Sequence, residues 1–107
     1  MKIGDREVKF AWTTGAFSDY HDWVLANQNL SGAHAQIYKA VVMHRAYLET
    51  HPDTGVKPVT EKEVRALPFY IFKELMEEMK EAEARDSERT VEIAEEPKKK
   101  GKAAPPQ

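Results

Sequence analysis

Between positions 13 and 79 the apolar residues recur every three or four positions, and this spacing constrains the fold more than any other feature. Three such stretches each follow a hydroxyl residue that can cap a helix: Thr13 or Thr14, Ser31, and Thr60. A Pro-Asp-Thr-Gly run after His51 stops the second stretch. The spacing therefore predicts a mainly α-helical chain, a small bundle of three to four helices.

The third stretch contains a proline that divides it. Thr60 and Glu63 have the spacing of a capping box, in which each side chain accepts a hydrogen bond from the other residue's backbone. Pro68 lies inside the apolar stripe that continues to Met79, and it lacks the N–H that a helix interior requires. We expect a short helix over residues 61–66 and a longer one starting near Pro68. A single kinked helix is the alternative.

The first residues follow a different period. Val8, Phe10 and Trp12 alternate with Glu and Lys or Ala, which predicts a strand over residues 6–12. A turn at Gly4 joins it to a shorter strand. We expect a short N-terminal β-hairpin that either lies on the helices or adds its free edge to a partner's sheet, because an isolated hairpin is marginally stable.

The charges divide the chain into a domain and a tail. A chain of 107 residues is expected to form one domain. Residues 73–96 carry four Lys or Arg and ten Asp or Glu, whereas residues 97–107 carry four lysines and no acid. The apolar stripe stops at Met79, so we expect the last helix to end at about Arg85. The predicted organisation is a helical domain with its hairpin at 1–85 and a disordered charged tail at 86–107.

No arrangement typical of catalysis or metal binding stands out. The chain has no cysteine, and its four histidines do not have zinc-site spacing. Asp19, His21 and Asp22 are close in sequence, but neighbours on a helix point in different directions. His44 lies on the apolar stripe of its helix, so we expect a structural histidine that bonds a backbone carbonyl. We expect no catalytic residue, no metal and no cofactor.

The large apolar side chains exceed what one stripe per helix can bury. The expected core residues lie on the stripes and are Phe17, Trp23, Ile37, Val41, Phe72 and Leu75. The surplus on the last helix favours a second surface that binds a partner protein, since methionine and aromatic residues suit adaptable interfaces. The alternative is that the surplus residues only wrap a small core. The predicted partner-binding residues are Phe69, Tyr70, Met76 and Met79.

The opening of the chain resembles that of the tail assembly chaperones of long-tailed, siphovirus-type bacteriophages. Residues 3–10 fit their I-G-x-x-E-x-K-F strand pair, and Thr13-Thr14-Gly15-Ala16, within Thr-Thr-Gly-Ala-Phe at 13–17, fits the T-x-G-A that leads into a helix. Leu67-Pro68-Phe69 is similar to a Leu-Pro-aromatic element of the family. Elsewhere the similarity is one of layout only, a helical body followed by a charged, disordered C-terminus.

The resemblance implies a non-catalytic chaperone. Such a protein binds the tape-measure protein, keeps it soluble, recruits the major tail protein of the tail tube, and works in the host cytoplasm. A homo-oligomer is compatible with this function. In this family the Lys98–Lys102 run could mark a frameshift site or simply a solubilising tail. No apolar run approaches the ~20 residues of a membrane span.

The alternative is a small nucleic-acid-associated regulatory protein that uses the 32–50 and 61–79 helices with the lysine tip. Nucleic-acid binding is the less favoured hypothesis, because four lysines on a tail give weak, salt-sensitive contacts.

Overall fold

The computed structural model describes the backbone of residues 1–95 and the side chains of residues 1–87. The described part is mainly helical with a short N-terminal β-hairpin, as the sequence predicts. The hairpin pairs β1 (Lys2–Ile3) with β2 (Arg6–Glu7), and the helices are α1 (Thr14–Ala26), α2 (Gly32–Thr50), α3 (Glu61–Arg65) and α4 (Phe69–Glu95), with a 3₁₀ turn at Pro52–Thr54. None of these helices is long and apolar enough to cross a membrane.

The helix starts follow from local hydrogen bonds. The Thr13 hydroxyl accepts from the N–H of Ala16 at 3.1 Å, which begins α1. Ser31 caps α2 in the same way. At α3 the N–H of Glu63 donates to the Thr60 hydroxyl while the Thr60 N–H donates to the Glu63 carboxylate. All three caps were predicted, because capping depends on residues three positions apart.

Pro68 splits the third stretch into two helices. The N–H of Leu67 still donates to the Val64 carbonyl at 3.1 Å, which closes the last turn of α3. The Pro68 carbonyl then accepts from the N–H groups of Ile71 and Phe72, which opens α4. The prediction of two helices is confirmed over the single kinked helix.

The core is organised around α2, which packs against α1, α3 and α4. Its main cluster joins the N-terminal segment, α2, the 59–64 region and α4 through Ile3, Val8, Phe10, Ala40, Val41, Met43, Val59, Val64, Leu75, Met79 and Ala82. Val41 and Leu75 are buried as predicted, and Ile37 and Phe72 pack against the cluster while partly buried.

The core prediction is wrong at Phe17, which is 49% exposed. Its ring lies at the edge of α1, against the Trp12 ring and stacked on His21 at 4.8 Å. Trp23 is partly buried between α1 and α2, stacked on Tyr38. Helix α1 packs chiefly on α2, so only one side of it is covered and Phe17 falls outside that side.

Residues 8–12 do not form the predicted strand. Strand β2 ends at Glu7, and the chain then runs past α2 and α4 without regular secondary structure. The N–H of Ala11 donates to the Met43 carbonyl at 3.1 Å, and the N–H of Trp12 donates to Asp86 Oδ2 at 2.7 Å. These donors are therefore used inside the domain, and the expected free strand edge over 6–12 is wrong for this segment.

Helix α4 extends past the predicted boundary at Arg85. Arg85 Nη2 donates to the Phe10 carbonyl at 3.1 Å, and the neighbouring Asp86 accepts the Trp12 N–H. Both residues fix the N-terminal segment to α4, so Asp86 belongs to the folded domain and the helix continues to Glu95. The part of the predicted tail at 96–107 lies outside the described residues.

Candidate protein-binding surface

A shallow apolar groove lies where α2, α3 and α4 meet. Its lining residues come from all three helices and the α3–α4 junction: Ile37, Val64, Arg65, Leu67, Phe69 and Phe72. Its volume is about 150 Å³, which suits one aliphatic or aromatic side chain. We refer to it below as the Phe69 groove.

The Pro68 break builds this groove. Because α3 ends at Arg65 and α4 begins at Phe69, the chain turns between two helix ends. Leu67 and Phe69 lie on either side of the turn and face the same depression. A continuous helix would separate these two side chains by about 200° around its axis. The groove therefore depends on a proline that the sequence already marked.

Phe69 forms the exposed wall of the groove. It is 70% exposed, and its ring centre lies 6.4 Å from that of Phe72, whose side chain is partly buried against the core. A large apolar side chain left this open, beside an apolar depression, is a candidate anchor for a partner.

The other predicted binding residues have different surroundings. Tyr70 is 67% exposed but does not line the groove, because it is turned about 100° from Phe69 around α4. Its contact with a partner stays a prediction. Met76 is partly buried against the core.

Met79 is 2% exposed and belongs to the core, so the expectation that it lies on a binding surface is wrong. The reason is that Met79 follows Leu75 by one helical turn, and both lie on the face of α4 that α2 and the N-terminal segment cover.

Sequence reasoning missed most of the groove. It placed Ile37 and Phe72 fully in the core and gave Val64 and Leu67 no functional role. Ile37 is 30 positions or more from the α4 residues, and periodicity within one helix cannot report such a contact. The one local signal was the Leu67-Pro68-Phe69 step, where an apolar stripe changes direction.

Two cations border the Phe69 groove. Arg65 lines it directly, and Lys73 Nζ lies 6.0 Å from the centre of the Phe69 ring. Within the part of the chain whose side chains are described, neither cation forms an ion pair. By contrast, the cations Arg6 and Lys39 are paired with Glu63 and Glu83.

Lys39 contacts a cluster of aromatic rings on the side of α2 that faces away from the Phe69 groove. Its ammonium lies 5.0 Å from the centre of the Trp12 ring and 5.2 Å from that of Tyr20, and donates to Glu83 at 2.9 Å. These contacts join the N-terminal segment, α1, α2 and α4. The cluster has a structural role, since the Lys39 side chain is only 14% exposed and its ammonium contacts both rings and Glu83.

His44 is a buried structural histidine, but it accepts a hydrogen bond from a backbone N–H, whereas the prediction was that it donates one to a backbone carbonyl. Its Nδ1 accepts the N–H of Val59 at 3.1 Å, so the ring must be neutral with its proton on Nε2. Burial lowers the pKa of His44 below its ordinary value, and the nearby Arg6 cation adds to that effect. The contact holds the loop before α3 against α2.

Groups suited to metal chemistry are dispersed over the domain. Among the residues that the structure describes, no three His, Asp or Glu side chains are placed to hold a metal ion. His21, for example, stacks on Phe17 rather than facing Asp19 and Asp22 as a set of ligands.

No protein-family model matches this chain, and no curated protein or solved structure is significantly similar to it.

Proposed function

We propose that this protein is a non-catalytic chaperone or adaptor that binds a helical segment of another protein at the Phe69 groove. The observation that carries the proposal is the exposure of Phe69 beside an apolar depression built by three helices. An amphipathic partner helix would place one apolar side chain in the groove and a second against the Phe69 ring. Covering the ring would contribute about 1–2 kcal/mol.

The kind of partner follows from the sequence resemblance. The I-G-x-x-E-x-K-F opening and the Leu67-Pro68-Phe69 step resemble phage tail assembly chaperones, whose partner is the long helical tape-measure protein. In the structure the first motif carries the β-hairpin and the second builds the groove, so both matched elements have a structural role. Our proposal is therefore a tail assembly chaperone that binds the tape-measure protein and recruits tail-tube subunits in the host cytoplasm.

A long helical partner can bind many copies of a protein that has a single small groove. One anchor side chain gives weak binding, but many copies along one elongated helix would coat it, and links among neighbouring copies would strengthen the assembly. A groove that accepts one apolar side chain also tolerates variation in the rest of the partner's sequence.

Co-expression tests this function. The proposal predicts that a tape-measure protein is encoded beside this chain's gene, and that it stays in the soluble fraction and co-purifies when the two are expressed together. The matched comparison uses Phe69→Ala, which should reduce co-purification, and Leu25→Ala, which removes an exposed apolar side chain from α1 and should not. If the tape-measure protein is equally soluble without this chain and the two do not co-purify, the chaperone assignment is wrong.

A further inference from the structure

We infer that the partner segment of the Phe69 groove is an acidic amphipathic helix, with carboxylates flanking the apolar residue that enters the groove. This inference rests on the proposed binding function and specifies the chemistry of the partner. The evidence for it is the arrangement of charge around the groove rather than the apolar lining alone.

Two cations border the groove. Arg65 belongs to α3 and borders the groove, while Lys73 follows Phe69 by one turn of α4 and lies near its ring. Both side chains are exposed, and neither has an ion-pair partner among the described residues. The groove lining includes no acidic residue.

This local positive charge contrasts with the rest of α4. Helix α4, residues 69–95, carries nine acids against four bases, so the helix as a whole repels an acidic partner. The first acids of α4 after Phe69, Glu74 and Glu77, are turned about 140° and about 80° away from Phe69 around the helix axis. An acidic helix would therefore be attracted only when it lies on the groove side of α4. Charge thus sets the partner's position and orientation more than its affinity.

The geometry also sets the size of the anchor. A groove of about 150 Å³ accepts one Leu, Met or Phe side chain. Carboxylates one turn before and after the anchor on the same helix would come near Arg65 and Lys73, because residues four apart stand on one face. The recognition element is therefore an apolar residue with Asp or Glu about four positions on either side.

Synthetic peptides test this inference without the natural partner. Three fluorescent amphipathic peptides would share one leucine stripe and differ only in flanking residues, which are Glu, Gln or Lys. Fluorescence anisotropy with the full chain should show the Glu peptide binding about tenfold more tightly than the Lys peptide, the ratio expected when two exposed charge pairs change sign. The preference should weaken as salt rises from about 0.05 to 0.5 M.

Charge reversal locates the effect. The double variant Arg65→Glu/Lys73→Glu should reverse the order of the peptides, and the control Arg45→Glu/Lys57→Glu, which changes the same charges at exposed sites outside the groove, should keep it. Circular dichroism would verify that each variant is folded. Equal affinities for the Glu and Lys peptides, tighter binding of the Lys peptide, or the same preference in the groove variant would overturn the inference.

The two proposals can fail separately. If the tape-measure protein co-purifies but the peptides show no charge preference, the acidic-helix inference fails and the chaperone function stands. If the Glu peptide binds as expected but the tape-measure protein does not, the groove recognises acidic helices in another protein.

Discussion

Replacing Asp86 by Ala should destabilise the domain although Asp86 lies beyond the boundary that the sequence suggested. Its carboxylate accepts the Trp12 N–H at 2.7 Å and also pairs with the Arg85 guanidinium. The Asp86 side chain is only 23% exposed. Removing it leaves a partly buried N–H without its charged acceptor.

The loss of a hydrogen bond to a charged group costs about 1.5–3 kcal/mol. The lower end applies if water reaches the Trp12 N–H. For a domain of this size each kcal/mol lowers the Tm by about 4–8 °C. A chain ending at Arg85 should lose at least as much, since it also gives up the end of α4.

Urea unfolding followed by circular dichroism and tryptophan fluorescence would measure the change. Glu81→Ala is the matched control, because it removes an exposed carboxylate from the same helix. A loss below about 0.5 kcal/mol for Asp86→Ala, equal to that of the control, would refute the argument that α4 fixes the N-terminal segment through this residue.

The remaining predictions concern His44, Met79 and Phe69. Burial lowers the pKa of His44 from 6.5, so the folded state favours the neutral ring. The stabilisation that this neutral ring contributes is fully present above about pH 6.5 and is lost as the pH falls through the lowered folded pKa. His44→Gln retains an acceptor for the Val59 N–H and should remove this pH dependence when unfolding is measured between about pH 4.5 and 7.5. An unchanged slope of the unfolding free energy against pH would contradict the role given to His44. Met79→Ala should cost about 2–5 kcal/mol. Phe69→Ala should cost less than about 1 kcal/mol, because most of its ring is already exposed, and similar costs for the two variants would contradict the assignment of core and surface.

The local features of the fold were predictable from the sequence because their causes are local. Thr13, Ser31 and Thr60 cap helices through residues three positions away, and Pro68 stops a helix by its own chemistry. These local signals do not depend on how the rest of the chain packs. They were enough to give the helices and their order along the chain.

Features that depend on distant residues were not predictable. The Glu-rich sequence after Met79 looked like a fraying end, yet Asp86 is held by Trp12, 74 positions away. His44 was placed correctly inside the domain, but its partner is a backbone N–H in the loop before α3. The apolar stripe of α4 did not reveal that Met79 is covered while Phe69 is open.

The residues of the proposed binding surface show the same difference between local and distant signals. Phe69 was named as a binding residue because it exceeded what one helical stripe could bury, and its exposure supports that reasoning. Ile37 and Leu67, which complete the groove, required knowledge of how α2 meets the α3–α4 turn.

The most direct test of the account is the affinity of the proposed partner, a tape-measure protein, for the wild-type chain and for Phe69→Ala, measured by isothermal titration calorimetry with a soluble helical fragment of that protein. Removal of the Phe69 ring should cost about 1–2 kcal/mol of binding, a loss of about 5- to 30-fold in affinity, while Leu25→Ala should remain within about twofold of the wild type. Binding that is absent in the wild type, or that is equally strong in Phe69→Ala, would contradict the claim that this groove is where the protein binds its partner.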